Sequence, residues 1–160
     1  MTSVDTVAVM IWENNPDNWE VSENNSPYTL CDINRLVANL EDIKIAKQAR
    51  FIICLNEDDS PIGTIDLFSI DFELKSTSVG ILIAEKGNRR KGYALESLEL
   101  MESEIKELNI DKIEAKVHLN NKGSLNLFKK ANYKKKQLNE SVSENPDYLN
   151  VVYFEKWLKK

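Results

Sequence analysis

Arg89-Arg90-Lys91-Gly92-Tyr93-Ala94 sets three cations and a glycine directly ahead of a helical pattern. These residue types in this order suit an anion, above all a pyrophosphate. The first turn of a helix leaves about four backbone N–H groups unpaired, and the helix dipole favours negative charge beside them. Gly92 lets the backbone approach a ligand closely. Ala94 is small enough for the helix to pack tightly on a sheet. A plain solvated turn is the alternative reading of the same residues. The chain holds no G-x-x-x-x-G-K-[ST] and no G-x-G-x-x-G, so neither a P-loop nor a dinucleotide fingerprint accounts for the loop.

Such a loop needs a strand before it and a helix after it. Thr77–Ala84 reads as the strand, and Tyr93–Leu108 as the helix, with Ala94, Leu98, Met101, Ile105 and Leu108 at helical spacing. Upstream, Asp5–Glu13 reads as a helix ending before Asn14-Asn15-Pro16. Thr29-Leu30-Cys31-Asp32 forms a capping box for a helix with Ile33, Leu36, Val37 and Leu40 on one face, reaching toward Ile43. Phe51–Leu55 reads as a buried strand, Asn56–Pro61 as a turn and Ile62–Phe68 as the returning strand. Asp71–Ser76 connects to the third strand. Lys112–Leu119 is then a strand and Asn121–Ala131 a helix. Tyr133–Leu138 and Leu149–Trp157 are strands joined by the polar loop Asn139–Asp147. This order predicts one domain over residues 1–160, of α+β (mixed α/β) class, with a central, mixed, largely antiparallel sheet flanked by helices.

The chain has 160 residues, 42% of them hydrophobic and 29% charged, as in a globular domain with a core of its own. No apolar run approaches the roughly 20 residues of a membrane helix, and Val7–Trp12 lacks the basic flank of a signal peptide. The expected compartment is the cytoplasm. The net charge of −5 argues against a nucleic-acid partner. Residues 1–34 contain six acids and no Lys or Arg, whereas Lys86, Arg89, Arg90 and Lys91 cluster without an acid. The acidic end suits a cationic partner and the basic stretch a phosphate-bearing one. Cys31 and Cys54 share no motif and are expected as buried free thiols. No metal-ligand spacing is present.

Arg89-x-x-Gly92-x-Ala94 resembles the [QR]-x-x-G-x-[GA] signature of the GNAT acyltransferases. Asn121-Lys122-Gly123-Ser124 with Leu127–Tyr133, and Trp12-Glu13-Asn14-Asn15-Pro16, resemble segments of the branch holding ribosomal-protein N-terminal and spermidine acetyltransferases. The resemblance implies acetyl-CoA (coenzyme A) as cosubstrate and acetyl transfer to a primary amine by direct attack. It implies that Leu82, Ile83 and Ala84 pair with the pantetheine arm. The amides of Arg89, Arg90, Lys91, Gly92, Tyr93 and Ala94 would hold the pyrophosphate, with Leu95 completing the turn. Asn121, Ser124 and Phe128 would line the thiol end. Ile81–Ala84 and Lys116–Leu119 should splay apart in mid-sheet.

Three departures follow from the same resemblance. Phe128 stands where the branch has a Tyr that serves as general acid. Ser78-Val79-Gly80 supplies no carboxylate as base, which leaves Glu13, Asp66, Asp71 and His118 as candidates for proton removal. The family's first strand has no counterpart ahead of Trp12: either the start is truncated or the sheet has lost an edge strand, and loss would expose the neighbouring strand edge and invite a homodimer. Trp12, Glu13, Trp19 and Glu20, with Asp17 and Glu23, fall where the family binds its acceptor. Tryptophans among acids suit a polyamine, an aminoglycoside-like amine or a peptide N-terminus. The competing reading is a degenerate relative that binds acyl-CoA or a protein partner without catalysis.

Overall fold

A computed structural model of the chain describes residues 5–18, 27–40, 42–137 and 150–158. The chain divides into two compact units, Met1–Phe68 with Gly80–Ala94, and Ser69–Val79 with Leu95–Lys160. Six strands form one sheet: β1 (Ala49–Cys54), β2 (Pro61–Asp71), β3 (Ser76–Ile83), β4 (Lys112–His118), β5 (Lys134–Lys135) and β6 (Val151–Trp157), in the order β1-β2-β3-β4-β6-β5. The sheet is mostly antiparallel and flanked by helices, as the sequence predicts. Its parallel ladder joins β3 to β4 and runs only from Ser76↔Lys112 to Ser78↔Glu114. Ile81–Ala84 and Lys116–Leu119 lie beyond its last pair.

In the first unit, α1 (Thr6–Glu13) and α2 (Leu30–Asn39) lie on one core, in which Val9, Trp12, Ile33 and Ala84 are buried together. Thr29 starts α2 with the predicted capping box: its hydroxyl accepts from the Asp32 N–H at 3.2 Å, and Asp32 accepts from the Thr29 N–H at 2.9 Å. The helix does not reach Ile43. It stops at Asn39, and Asp42 caps a separate turn, α3 (Ile43–Ala46), by accepting from the Lys44 N–H at 2.8 Å.

β1 begins two residues before the expected Phe51, and of its residues only Ile53 is buried. The expectation of a buried strand fails because β1 is an edge of the sheet, with Phe51 exposed. Both cysteines are likewise exposed rather than buried, Cys31 in the first turn of α2 and Cys54 at the end of that edge strand. Among the described residues no strand precedes β1.

In the second unit, α4 (Tyr93–Glu107) buries Leu98, Met101 and Ile105 on one face, and β4 buries Ile113, Ala115 and Val117 at alternate positions. α5 (Lys122–Lys130) contributes Phe128. β4 and β6 pair antiparallel over seven residues, from Lys112↔Trp157 to His118↔Val151. The strand predicted over Tyr133–Leu138 shrinks to Lys134 and Lys135, a short lysine edge that resists further pairing. The predicted loop Asn139–Asp147 lies outside the described residues.

Candidate active site

β3 leads into the basic loop through a distortion at its end. The amides of Ala84 and Glu85 both donate to the Ile62 carbonyl, at 2.9 and 3.4 Å. Two donors on one acceptor are the pattern of a β-bulge, which re-aims the backbone beyond it. Opposite, a Cβ on Gly63 would collide with the Leu82 carbonyl oxygen and come within 3.0 Å of the Ile83 Cα. Only glycine permits that approach. Gly63 carried no motif, and its role emerges only once β2 lies against β3.

A 3-10 turn, Lys86–Asn88, carries the chain to Arg89. Arg90 and Gly92 then adopt left-handed backbone, with φ of 67° and 100°. Alternation of this kind turns successive amides toward one concavity that suits an anion. A Cβ built on Gly92 would meet nothing within 4 Å, so the space above it is open. Gly92 immediately precedes α4 and has no side chain with which to cap it. A helix start leaves its first amides without partners inside the helix, the arrangement that suits an anion. Arg90, Lys91 and Gly92 are exposed, and Ala94 and Leu95 partly so.

The Arg89 side chain has a different use from the expected attraction of a distant phosphate. Its Nε donates to the Ile83 carbonyl at 2.8 Å, and its Nη2 to Asn18 Oδ1 at 2.7 Å and the Ala84 carbonyl at 3.3 Å. Lys86 pairs with Asp17 at 2.7 Å. The cations of this stretch are therefore partly engaged at home.

Of the expected acceptor residues, Trp12 is buried and its indole donates to Glu85 at 3.2 Å. Trp19 and Glu20, with Glu23, lie outside the described residues. Glu13 and Asp66 are brought together by Arg50, which no motif had marked. Arg50 donates to Asp66 at 2.6 and 3.2 Å and to Glu13 at 2.8 Å. Arg50 and Asp66 are register partners across the β1–β2 hairpin, but a register shift between Ile53 and Cys54 means that counting back from the turn would have set Arg50 opposite Ile65 instead. Burial opposes the Arg50 charge, but Asp66 and then Glu13 outweigh it and raise its pKa. Burial also raises the Asp66 carboxyl above its ordinary range, with Arg50 opposing. Two of the three favoured base candidates therefore serve one guanidinium.

The second unit holds the other expected residues. His118 is exposed at the end of β4. Asn121 caps α5, its Oδ1 accepting from the Ser124 N–H at 3.0 Å, so that oxygen is committed to the helix. Phe128 is only 3% exposed, with its ring stacked on Phe154 at 5.8 Å and edge-on to Tyr133 at 5.1 Å. That ring serves the core. Tyr133 is no substitute acid: burial, and then Glu102, push its pKa far above the ordinary value, and its buried hydroxyl has no hydrogen-bond partner among the described residues. Among the described residues, no group of three or more His, Cys, Asp or Glu could hold a metal ion. Nor is any described helix long and apolar enough to cross a membrane.

Comparison with known proteins agrees with this geometry. Residues 1–134 match the acetyltransferase (GNAT) domain family. An uncharacterized N-acetyltransferase, p20, of Bacillus licheniformis is 29% identical over 140 residues, covering 86% of this chain and 78% of that protein. Among solved structures, spermidine N-acetyltransferase from Vibrio cholerae, in complex with CoA and spermine, superposes with a TM-score of 0.82 at 18% identity, over 98% of this chain and 92% of that one. The aminoglycoside acetyltransferase AAC(6')-Ib, in complex with coenzyme A, gives 0.69 at 17% identity, over 98% and 91%. The chain belongs to the GNAT acetyltransferase family and is an N-acetyltransferase.

Proposed function

We propose that the chain transfers the acetyl group of acetyl-CoA to a primary amine, by direct attack of the neutral amine on the thioester carbonyl. The amine's N–C bond forms as the C–S bond breaks, the amine loses a proton and coenzyme A thiolate departs. One observation carries this reading: the left-handed Arg90 and Gly92 directly ahead of a helix start, with open space over Gly92. These groups fit a pyrophosphate. The amides of Arg90–Leu95 would hold it, and proximity would then supply much of the rate.

The pantetheine arm would run along the end of β3. There the Ala84 N–H is bonded to Ile62, and the Ile83 and Ala84 carbonyls are bonded to Arg89. Those three groups are therefore already engaged where the arm would lie. Proton removal falls to His118 or to water, because Glu13 and Asp66 are held by Arg50. A cationic acceptor is favoured by the relatives with solved structures, which include enzymes named for spermidine and for aminoglycosides, although Glu13 and Asp17 near Trp12 are already paired with Arg50 and Lys86.

A panel of polyamines, aminoglycosides and N-terminal peptides, assayed for thiol release and product mass with acetyl-CoA, tests the reading. No release above background with any amine would overturn catalysis. Phe128, buried and without a hydroxyl, favours the second reading of a module that binds acyl-CoA without turnover. Calorimetric binding of CoA with no acetylated product would establish that instead. Within the first reading, His118→Gln should lower kcat, by up to ~10²-fold if it moves the proton.

A further inference from the structure

The Arg89 side chain and the buried Asn18 form a latch between the cofactor loop and the end of α1. Asn18 is 1% exposed, although it belongs to a polar helical stretch that opens at Pro16. Every hydrogen-bonding group of its side chain is used: Oδ1 accepts from Arg89 Nη2 at 2.7 Å, and Nδ2 donates to the Trp12 carbonyl at 3.0 Å. Its backbone N–H donates to the Asn15 carbonyl at 2.9 Å. Arg89 spends the same fork on the Ile83 and Ala84 carbonyls. Trp12 is held a second time, by its indole, at Glu85. The end of α1 is thus bolted to both sides of the 3-10 turn Lys86–Asn88. Buried polar groups are costly unless partnered, and here both the oxygen and the nitrogen of the Asn18 side chain have a partner.

We infer that Arg89 is a positioning residue: through Asn18 it holds the last carbonyls of β3 and the start of the basic loop in the geometry that receives coenzyme A. Its side chain does not act as a phosphate contact. The inference rests on the cofactor reading given above. A guanidinium is required because two of its nitrogens serve three acceptors, which a single ammonium cannot span.

Calorimetry with CoA, at low and high salt, separates the two roles. A positioning role predicts that Arg89→Gln weakens CoA binding about tenfold, that Asn18→Ala does the same, and that the double variant is no worse than either, since the two act as one unit. Arg89→Lys should be as poor as Arg89→Gln despite its charge. The loss should not depend on salt, and Asn18→Asp, which keeps the acceptor for Arg89, should recover most of the affinity lost in Asn18→Ala. The inference is overturned if Asn18→Ala binds CoA like the wild type, or if Arg89→Lys retains affinity while the Arg89→Gln deficit shrinks with salt, as a phosphate contact would. Should Asn18→Ala fail to fold, Asn18→Asp and Arg89→Lys decide alone: tight binding by the first with weak binding by the second supports the latch, and the reverse sinks it. Failure of the wild type to bind CoA would overturn the cofactor reading itself, a result distinct from any variant's behaviour.

Discussion

Gly63 faces the carbonyl oxygen of Leu82 so closely that no side chain fits between them. The contact lies beside the bulge where Ala84 and Glu85 share the Ile62 carbonyl. Replacing Gly63 with Ala forces the two strands apart where the backbone turns toward the basic loop. We expect Gly63→Ala to lose about 1–3 kcal/mol of stability, as overpacked sites do. Urea unfolding measures that loss, and calorimetry should show weaker CoA binding by the folded fraction.

Gly92 offers the opposite case. A Cβ there meets no neighbour, but the backbone has φ of 100°. Gly92→Ala should therefore cost about 1–2 kcal/mol through backbone strain alone. If the loop holds the pyrophosphate, its CoA affinity should fall about tenfold, the equivalent of the middle of that range. A variant with normal CoA affinity and a normal unfolding midpoint would remove Gly92 from the site.

Arg50 keeps two half-buried carboxylates together. Arg50→Gln leaves Glu13 and Asp66 facing each other without a cation, which should cost about 3 kcal/mol at neutral pH. The sign of the pH effect follows from Asp66, whose folded pKa is raised by burial against the pull of Arg50. A carboxyl with a raised folded pKa favours folding on the acid side, and that contribution is lost as pH rises through the unfolded and then the folded value. Without Arg50 the rise is larger. The stability gap between Arg50→Gln and wild type should thus narrow as pH falls toward about 4, the ordinary carboxylate range. Glu114, held low by Lys112 and Lys136 against burial, works in the other direction in both proteins and cancels in the difference.

Phe128→Tyr restores the hydroxyl that related enzymes carry. The ring is 3% exposed and packed between Phe154 and Tyr133, so the hydroxyl enters a crowded place. Stability should fall by about 1–2 kcal/mol unless it finds a partner. Turnover should rise, by less than the ~10²-fold of a full acid–base contribution, because coenzyme A thiolate leaves readily. Unchanged turnover with reduced stability would make position 128 a core position alone.

The strand, basic loop and helix of residues 77–108 were legible because each rests on local rules: alternation, a glycine at a turn and helical spacing. Thr29 and Asp32 announced their capping box for the same reason, since its hydrogen bonds span only three residues. The exposure of Phe51, Cys31 and Cys54 was not legible, because an apolar run looks the same in a central strand and at an edge. Nor was the company kept by side chains far apart in sequence. Glu13 and Asp66 looked like free bases until β1 brought Arg50 beside them. The Arg89 side chain looked like part of a basic stretch suited to a phosphate until folding carried Asn18, 71 residues away, into its fork. Residue types and spacing determined the family and the strand–loop–helix order that we propose binds an anion, because backbone amides at a helix start need no distant partner. Tertiary structure decided which charges are already spent, because a charge is spent only by a partner the fold delivers.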